Sequence, residues 1–308
     1  MYEFRLWRRL VFVGLSAFPL TPLVDDRVDE SSFGRLVKRL SSADVDSIAA
    51  LGSTGSYAYL SATERERVAH LAVEHAGETP VFIGVGALRT SHVVANIKAA
   101  ERAGAAAVLL APMTYQVLTP NDVFELYRTV TQGTDLPVIV YDNPGTTHFT
   151  FTLDLYERIA ALPGIASIKI PGVPTDPAQA IERVNSIRSV IPETVSIGVS
   201  GDAFGAAGLN AGCDVWYSVI GGTLPKPALK ITRAAQEGRF EDATAESERL
   251  APLWNLFAEM GGSLRVTAAI AEMLELAPEK CLPLPIQGLD DVQRESVARA
   301  VNAIGLGK

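Results

Sequence analysis

Eight short runs of aliphatic and β-branched residues recur along this 308-residue chain, each followed by a longer segment, most of helical period. This alternation limits the possible folds more than any other feature. The runs are "LVFVGLSAF" (10–18), "VDSIAALG" (45–52), "VFIGVG" (81–86), "AAVLLAP" (106–112), "VIVYD" (138–142), "IASIKI" (165–170), "VSIGVS" (195–200) and "VWYSVIG" (215–221). Continuous apolar runs mark strands covered on both faces, as in a parallel sheet with helices outside it. The intervening segments carry helix punctuation. "SATE" (61–64) has the form of a capping box, with Ser61 as N-cap, Glu64 reaching back and Gly77 after the last turn. "TPND" (119–122) puts Thr119 at the cap and Pro120 at the first helical position, where a missing N–H costs nothing. "DPAQ" (176–179) repeats that arrangement, and Gly104 ends another helix.

Eight such units predict a closed (β/α)8 barrel of the TIM type, because closure removes the sheet edges and uses every unit. An open doubly wound sheet competes, but it would carry a Gly-rich phosphate turn after the first strand, and "GLSAFPLTP" is not one. Beyond residue 225 the pattern is helical throughout. Residues 1–225 are therefore expected to form the barrel core, and 226–308 the last barrel helix and a C-terminal helical extension that is not an independent domain.

A formal net charge of -8 argues against nucleic acid or an anionic membrane as the main partner. The N-terminal "RLWRRLVFVGLSAF" has the basic-then-apolar order of a secretory leader, but the run is short, Pro19 and Pro22 follow it, and a small-residue cleavage site is missing. No stretch approaches the roughly 18 uninterrupted apolar residues of a membrane span. Cys213 and Cys281 lie apart, with no C-x-x-C and no histidine pair beside them, which suggests neither a disulfide framework nor zinc. The expectation is a cytoplasmic enzyme or binding protein.

In a barrel of this kind chemistry lies at the C-terminal ends of the strands. The sixth run places Lys169 between Ile168 and Ile170. Desolvating an ammonium costs several kcal/mol, which a protein avoids by depressing the pKa, and a neutral amine at a barrel mouth is a nucleophile for carbonyls. The alternative is a lysine that reaches solvent or pairs with Asp142 or Asp202. The fifth run ends at Tyr141. Alone it reads as a packing residue with a satisfied hydroxyl, but beside Lys169 it can move the protons that imine formation requires, relayed through Ser53. Ser53 and Thr54 lie in "GSTGS" (52–56), where glycines and hydroxyls can aim backbone N–H groups at an anion. His70 and His75 form the one close histidine pair, expected to face outward, so a metal site or a Ser-His-Asp triad has little support. No cofactor is called for.

Taken together and in order, "GSTGSYAYLSATERERV", "VIVYDNPGTT" and "IASIKIPG" resemble the dihydrodipicolinate synthase and N-acetylneuraminate lyase family of Schiff-base (β/α)8 enzymes. The resemblance runs from "AFPLTP" to the helical tail. It implies that Lys169 forms the imine with pyruvate or a related 2-oxo acid, that Tyr141 is the acid/base, and that Ser53 and Thr54 hold the carboxylate. It also implies a second tyrosine from the loop after strand four, acting across a subunit interface of a dimer or tetramer, for which Tyr115 is the candidate. Gly52, Gly55, Thr146 and Tyr217 complete the expected substrate contacts.

Two departures bear on substrate. Ser56 stands where the family pattern has glutamate, and Thr146 where the synthases have an arginine for the second substrate's carboxylate. "KIPGVPTDP" also replaces an acidic, hydroxyl-bearing segment. A neutral threonine cannot make a bidentate charge-assisted clamp. The expected activity is thus an aldolase or dehydratase acting on a 2-oxo acid. Synthase-like condensation of pyruvate with an aldehyde, and a non-catalytic 2-oxo-acid-binding or scaffold relative, are the alternatives.

Overall fold

The computed structural model describes residues 11–306. Eight parallel strands close into a barrel: β1 (Gly14–Ala17), β2 (Ser47–Ala50), β3 (Val81–Gly84), β4 (Ala107–Leu110), β5 (Val138–Tyr141), β6 (Ile165–Ile170), β7 (Ser196–Ser200) and β8 (Val215–Ser218). Closure is made by β8 against β1, with Gly14 opposite Val215 and Ala17 opposite Ser218. All eight expected strands are present, most of them shorter than their apolar runs. The first run begins in Leu10, outside the described residues, as do the arginines of the leader-like segment. Val11 and Phe12 precede β1 rather than forming it, because Gly14 has a positive φ of 74° that turns the chain; the two side chains help fill the barrel interior instead. Leu51, at φ 57°, ends β2 in the same way.

Around the barrel run α1 (Glu30–Ser41), α2 (Ala62–His75), α3 (Thr90–Ala103), α4 (Pro120–Gln132), α5 (Leu153–Ala160), α6 (Pro177–Arg188), α7 (Gly205–Asn210) and α8 (Pro225–Gln236). The capping box at Ser61 forms, and so does one at Thr119 with Asp122. Asp176 caps α6 ahead of Pro177. A two-residue antiparallel hairpin, Leu23–Val24 with Arg27–Val28, lies between β1 and α1. Half-buried His75 packs toward Gly34 of α1 rather than pointing clear of the molecule.

The extension comprises α9 (Phe240–Arg249), α10 (Ala251–Glu259), α11 (Ser263–Met273) and α12 (Asp291–Ala303). Residues 241–260, helical by pattern, are divided at Leu250. Pro252 lacks an N–H and its ring would clash with the carbonyl four residues back, so a new helix starts there. Leu253, Val266, Val297 and Val301 join the same hydrophobic cluster as the outward faces of the barrel strands. Among the described residues no helix is long and apolar enough to cross a membrane.

Strand periodicity sorts the side chains between two apolar layers. Ile168 and Ile170 point to the helices, whereas Tyr141, Ile139 and Tyr217 fill the barrel with Phe18, Ala49, Phe82, Leu109 and Val215. Lys169 alternates with those isoleucines and so faces the interior. Its partner across the β6–β7 pair is Gly198. A Cβ on Gly198 would lie 2.2 Å from the Tyr217 ring and 2.5 Å from Val215, so the missing side chain is what lets Tyr217 lie inside. Gly198→Ala is expected to lower stability by roughly 1–3 kcal/mol through overpacking, read as a lower urea midpoint at unchanged slope. An unchanged midpoint would show that the ring has room to move.

Candidate active site

Lys169 stands on the sixth strand with 4% of its surface exposed. Its nitrogen lies over three aromatic rings, with centroids at 4.2 Å for Tyr141, 5.4 Å for Phe18 and 5.9 Å for Tyr217. Tyr141 is directly opposite Lys169 in the β5–β6 pairing, so register rather than loop geometry sets the two side by side. Burial in this apolar surround depresses the amine from its usual 10.5 to about 7, and the charges of Asp202 and Asp142 oppose the drop.

Neither carboxylate makes an ion pair with the lysine. Asp202, just past β7, accepts hydrogen bonds from Ser218 Oγ (2.9 Å) and the N–H groups of Val219 (3.1 Å) and Ile220 (2.8 Å). Burial still raises it to about 6. Asp142 alternates with Tyr141 and turns to the helix layer, where Tyr156 of α5 donates its hydroxyl to Oδ2 at 2.5 Å. Burial raises Asp142 to about 6 as well, with Tyr156, Arg183 and Lys169 opposing. The reading of Lys169 as a solvent-reaching or ion-paired side chain therefore does not hold among the described residues: two buried carboxylates act on the amine at a distance.

Tyr141 is held from two sides. Its hydroxyl lies 3.3 Å from Ser53 Oγ and accepts from Asn143 Nδ2 at 2.9 Å. Burial raises its pKa above the ordinary phenol value, with both hydrogen bonds opposing, so it remains a phenol at neutral pH. Ser53 belongs to the turn after β2, which the Ser56 N–H closes onto the Ser53 carbonyl at 3.1 Å. Ser56 sits at φ 54°, and Thr54, Gly52 and Gly55 are buried in the same turn. Lys169, Tyr141 and Ser53 thus come together from strands six, five and two, with Thr54 in the same turn as Ser53.

Other candidates are placed differently. Tyr217 brings its ring to the lysine, but its hydroxyl donates to Ser167 Oγ at 2.7 Å within the barrel. Thr146 is exposed on the single helical turn Pro144–Thr147, which rests on the Asn143 carbonyl through the N–H groups of Thr146 and Thr147 and through Thr147 Oγ1 at 3.0 Å. Tyr115, in the loop after β4, is 90% exposed and takes no place beside Lys169 in this chain. Arg89, in the segment after β3, and His148, just past that helical turn, are also exposed. Sequence reasoning missed three contributors: Phe18 at the end of β1, Asn143 beside Tyr141, and the anchoring of Asp202 in "GVSGDA", where the sequence offered Asp202 only as an ion-pair partner for Lys169. The rule that chemistry gathers at strand ends puts Phe18 and Asp202 near the site but names no partner for either. Among the described residues no three of His, Cys, Asp and Glu are grouped as a metal site.

A buried amine of low pKa, a phenol beside it and a hydroxyl relay form a constellation suited to carbonyl addition. Comparison with known proteins gives the family. The dihydrodipicolinate synthetase family model matches residues 11–304. The 4-hydroxy-tetrahydrodipicolinate synthase of Methylococcus capsulatus is 31% identical over 94% of this chain and 97% of its own. Among solved structures, a dihydrodipicolinate synthase from Agrobacterium tumefaciens superposes with a TM-score of 0.92 at 42% identity, covering 97% of this chain and all of that one. A monomeric dihydrodipicolinate synthase variant is also similar, with a TM-score of 0.86 at 25% identity over 96% of this chain and 98% of its own. The chain belongs to the dihydrodipicolinate synthetase family of Schiff-base (β/α)8 lyases.

Proposed function

We propose that Lys169 forms an imine with a 2-oxo acid such as pyruvate, and that the protein cleaves or dehydrates a 2-oxo-4-hydroxy acid through it. The observation that carries this reading is the buried amine of Lys169, depressed to about 7, beside a phenol that is hydrogen-bonded onward to Ser53. The nitrogen lone pair adds to C2, and the former amine proton reaches the new oxygen through Tyr141. Tyr141 then protonates that hydroxyl, which leaves as water and yields the protonated imine. With the cation on nitrogen as electron sink, loss of the C4 hydroxyl proton breaks the C3–C4 bond and gives an enamine and an aldehyde. In the dehydratase alternative a C3 proton is lost and the C4 hydroxyl departs. Ser53 connects Tyr141 to the turn that would receive the substrate carboxylate beside Thr54, Gly52 and Gly55.

The choice of lyase over synthase rests on Thr146. Its side chain is neutral and exposed, and among the described residues Arg89, in the segment after β3, and His148, just past the helical turn, are exposed as well, so neither supplies a buried clamp for a second carboxylate. The names of the relatives favour the synthase as a second reading. We place the protein in the cytoplasm, in keeping with two buried free thiols, Cys213 and Cys281. A homo-oligomer, dimer or tetramer, is the proposed assembly: Tyr115 and Val117 are 90% and 93% exposed on one loop, an arrangement suited to cover by a second copy, whose relay Tyr115 could then complete.

Incubation with pyruvate, borohydride reduction and intact-mass measurement test the imine. One reduced pyruvate adduct is expected on the unsubstituted protein and none on Lys169→Ala; absence of the adduct, or its persistence in Lys169→Ala, refutes the mechanism and leaves the binding or scaffold alternative. For substrate choice, Thr146→Arg is expected to raise kcat/KM for condensation of aspartate semialdehyde with pyruvate by about 10- to 100-fold, the equivalent of one charge-assisted contact. Efficient condensation by the unsubstituted protein would instead establish the synthase reading.

A further inference from the structure

We propose that Phe18 is a further residue of the reacting centre: with Tyr141 and Tyr217 it encloses the Lys169 nitrogen in aromatic rings that favour its cationic forms where water is excluded. The inference rests on the imine reading above and adds a residue and a physical role to it.

Four contacts leave Phe18 essentially one position. Its N–H donates to the Ser218 carbonyl at 2.9 Å, which ties the end of β1 to the end of β8. Its ring meets that of Tyr217 edge to face, at a centroid distance of 6.0 Å and an interplanar angle of 86°. Gly52 leaves the other side open, since a Cβ there would lie 2.6 Å from Phe18 Cδ1. Gly222 lets the chain pass the Phe18 carbonyl, where a Cβ would come within 2.0 Å of the oxygen. The ring is buried and has the lysine nitrogen 5.4 Å from its centroid, within the roughly 6 Å over which a π face attracts a cation.

The chemistry gives such an enclosure a purpose. The nitrogen must be a neutral amine to attack, yet a cation once the imine is protonated. A hydrated site would stabilise the ammonium as well as the iminium and would offer water to hydrolyse the product. Ring faces supply attraction to positive charge without a hydrogen-bonding group or a nucleophile. The remaining groups that act on this nitrogen are the carboxylates of Asp202 and Asp142, with Arg183 behind Asp142. The hydroxyls of Tyr141 and Tyr217 are directed to Ser53 and Ser167. Phe18 contributes only its π face, so ring electronics can be varied there without disturbing a hydrogen bond.

The test is a series at position 18 in the full-length protein: phenylalanine, 4-fluoro-, 3,5-difluoro- and pentafluorophenylalanine, together with Phe18→Leu. Each is mixed rapidly with pyruvate, quenched with borohydride and weighed, and the initial rate of adduct formation is followed against pH. The rising limb reports the neutral fraction of the amine. Fluorination weakens the ring's attraction for a cation while nearly preserving its size, so the midpoint should move down stepwise. A total of about half to one unit is expected, a three- to tenfold change in the protonation constant, as for loss of one partly desolvated cation–π contact. Phe18→Leu should move it the same way. A midpoint indifferent to fluorination, or one that rises as it would if water entered, overturns the role of Phe18 while leaving the imine intact. No adduct at any pH in the unsubstituted protein overturns the imine, and this inference with it.

Discussion

The exclusion of water from one nitrogen is the constraint on which the rest of the site depends. An ammonium at the Lys169 position loses its hydration on folding, and the barrel answers by favouring the neutral amine. The amine is held near 7 in the folded state and at 10.5 in the unfolded chain. Between those values the unfolded state binds more protons. Stability therefore rises as pH rises through this window, and the penalty is greatest below about pH 7. A core this close-packed tolerates such a penalty only where it serves chemistry. The packing around Lys169 is accordingly specific: Gly198 makes room for the Tyr217 ring, Gly52 for Phe18, and strand register sets Tyr141 opposite the lysine.

Electrostatics refine what desolvation begins. Asp202 and Asp142 are both buried, yet neither approaches the amine closely enough to pair with it. Each is committed elsewhere, Asp202 to Ser218 and the N–H groups of Val219 and Ile220, Asp142 to Tyr156. Their fields hold the lysine above the value that burial alone would give. A direct ion pair would restore an ordinary ammonium and abolish nucleophilicity near neutrality; removal of both charges would lower the amine further and take away the carboxylate share of the support for a cation on this nitrogen. Anchored at a distance, the carboxylates leave the amine in between.

The fold was legible because it is written in periodicity. Eight buried runs and their helix caps predict a closed barrel without knowledge of any contact, although Gly14, Leu51 and Pro252 bound elements more tightly than apolar runs suggest. Lys169 was legible for the opposite reason, as a charge that violates its surroundings. Tyr141 gained its role only from that neighbour. The placement of Phe18 and the anchoring by Asp202 were not legible, since their partners lie on another strand or turn: Ser218 closes the barrel against Phe18, and the donors to Asp202 come 16 to 18 residues later. Nothing local in "AFPLTP" or "GVSGDA" announces those contacts. Tyr115 shows a further boundary: it is exposed in this chain, and the role across a subunit interface that the resemblance implies belongs to the proposed assembly.

The central claim is that folding makes Lys169 a neutral amine near physiological pH. Its titration can be followed directly by NMR in protein labelled with 13C at the lysine ε-carbon, the Lys169 signal being assigned from its absence in Lys169→Ala. A midpoint near 7 is expected, well separated from the other lysines. A Lys169 signal that titrates with them near 10.5 would contradict the claim, because the amine would then be an ordinary ammonium at every pH at which the protein works.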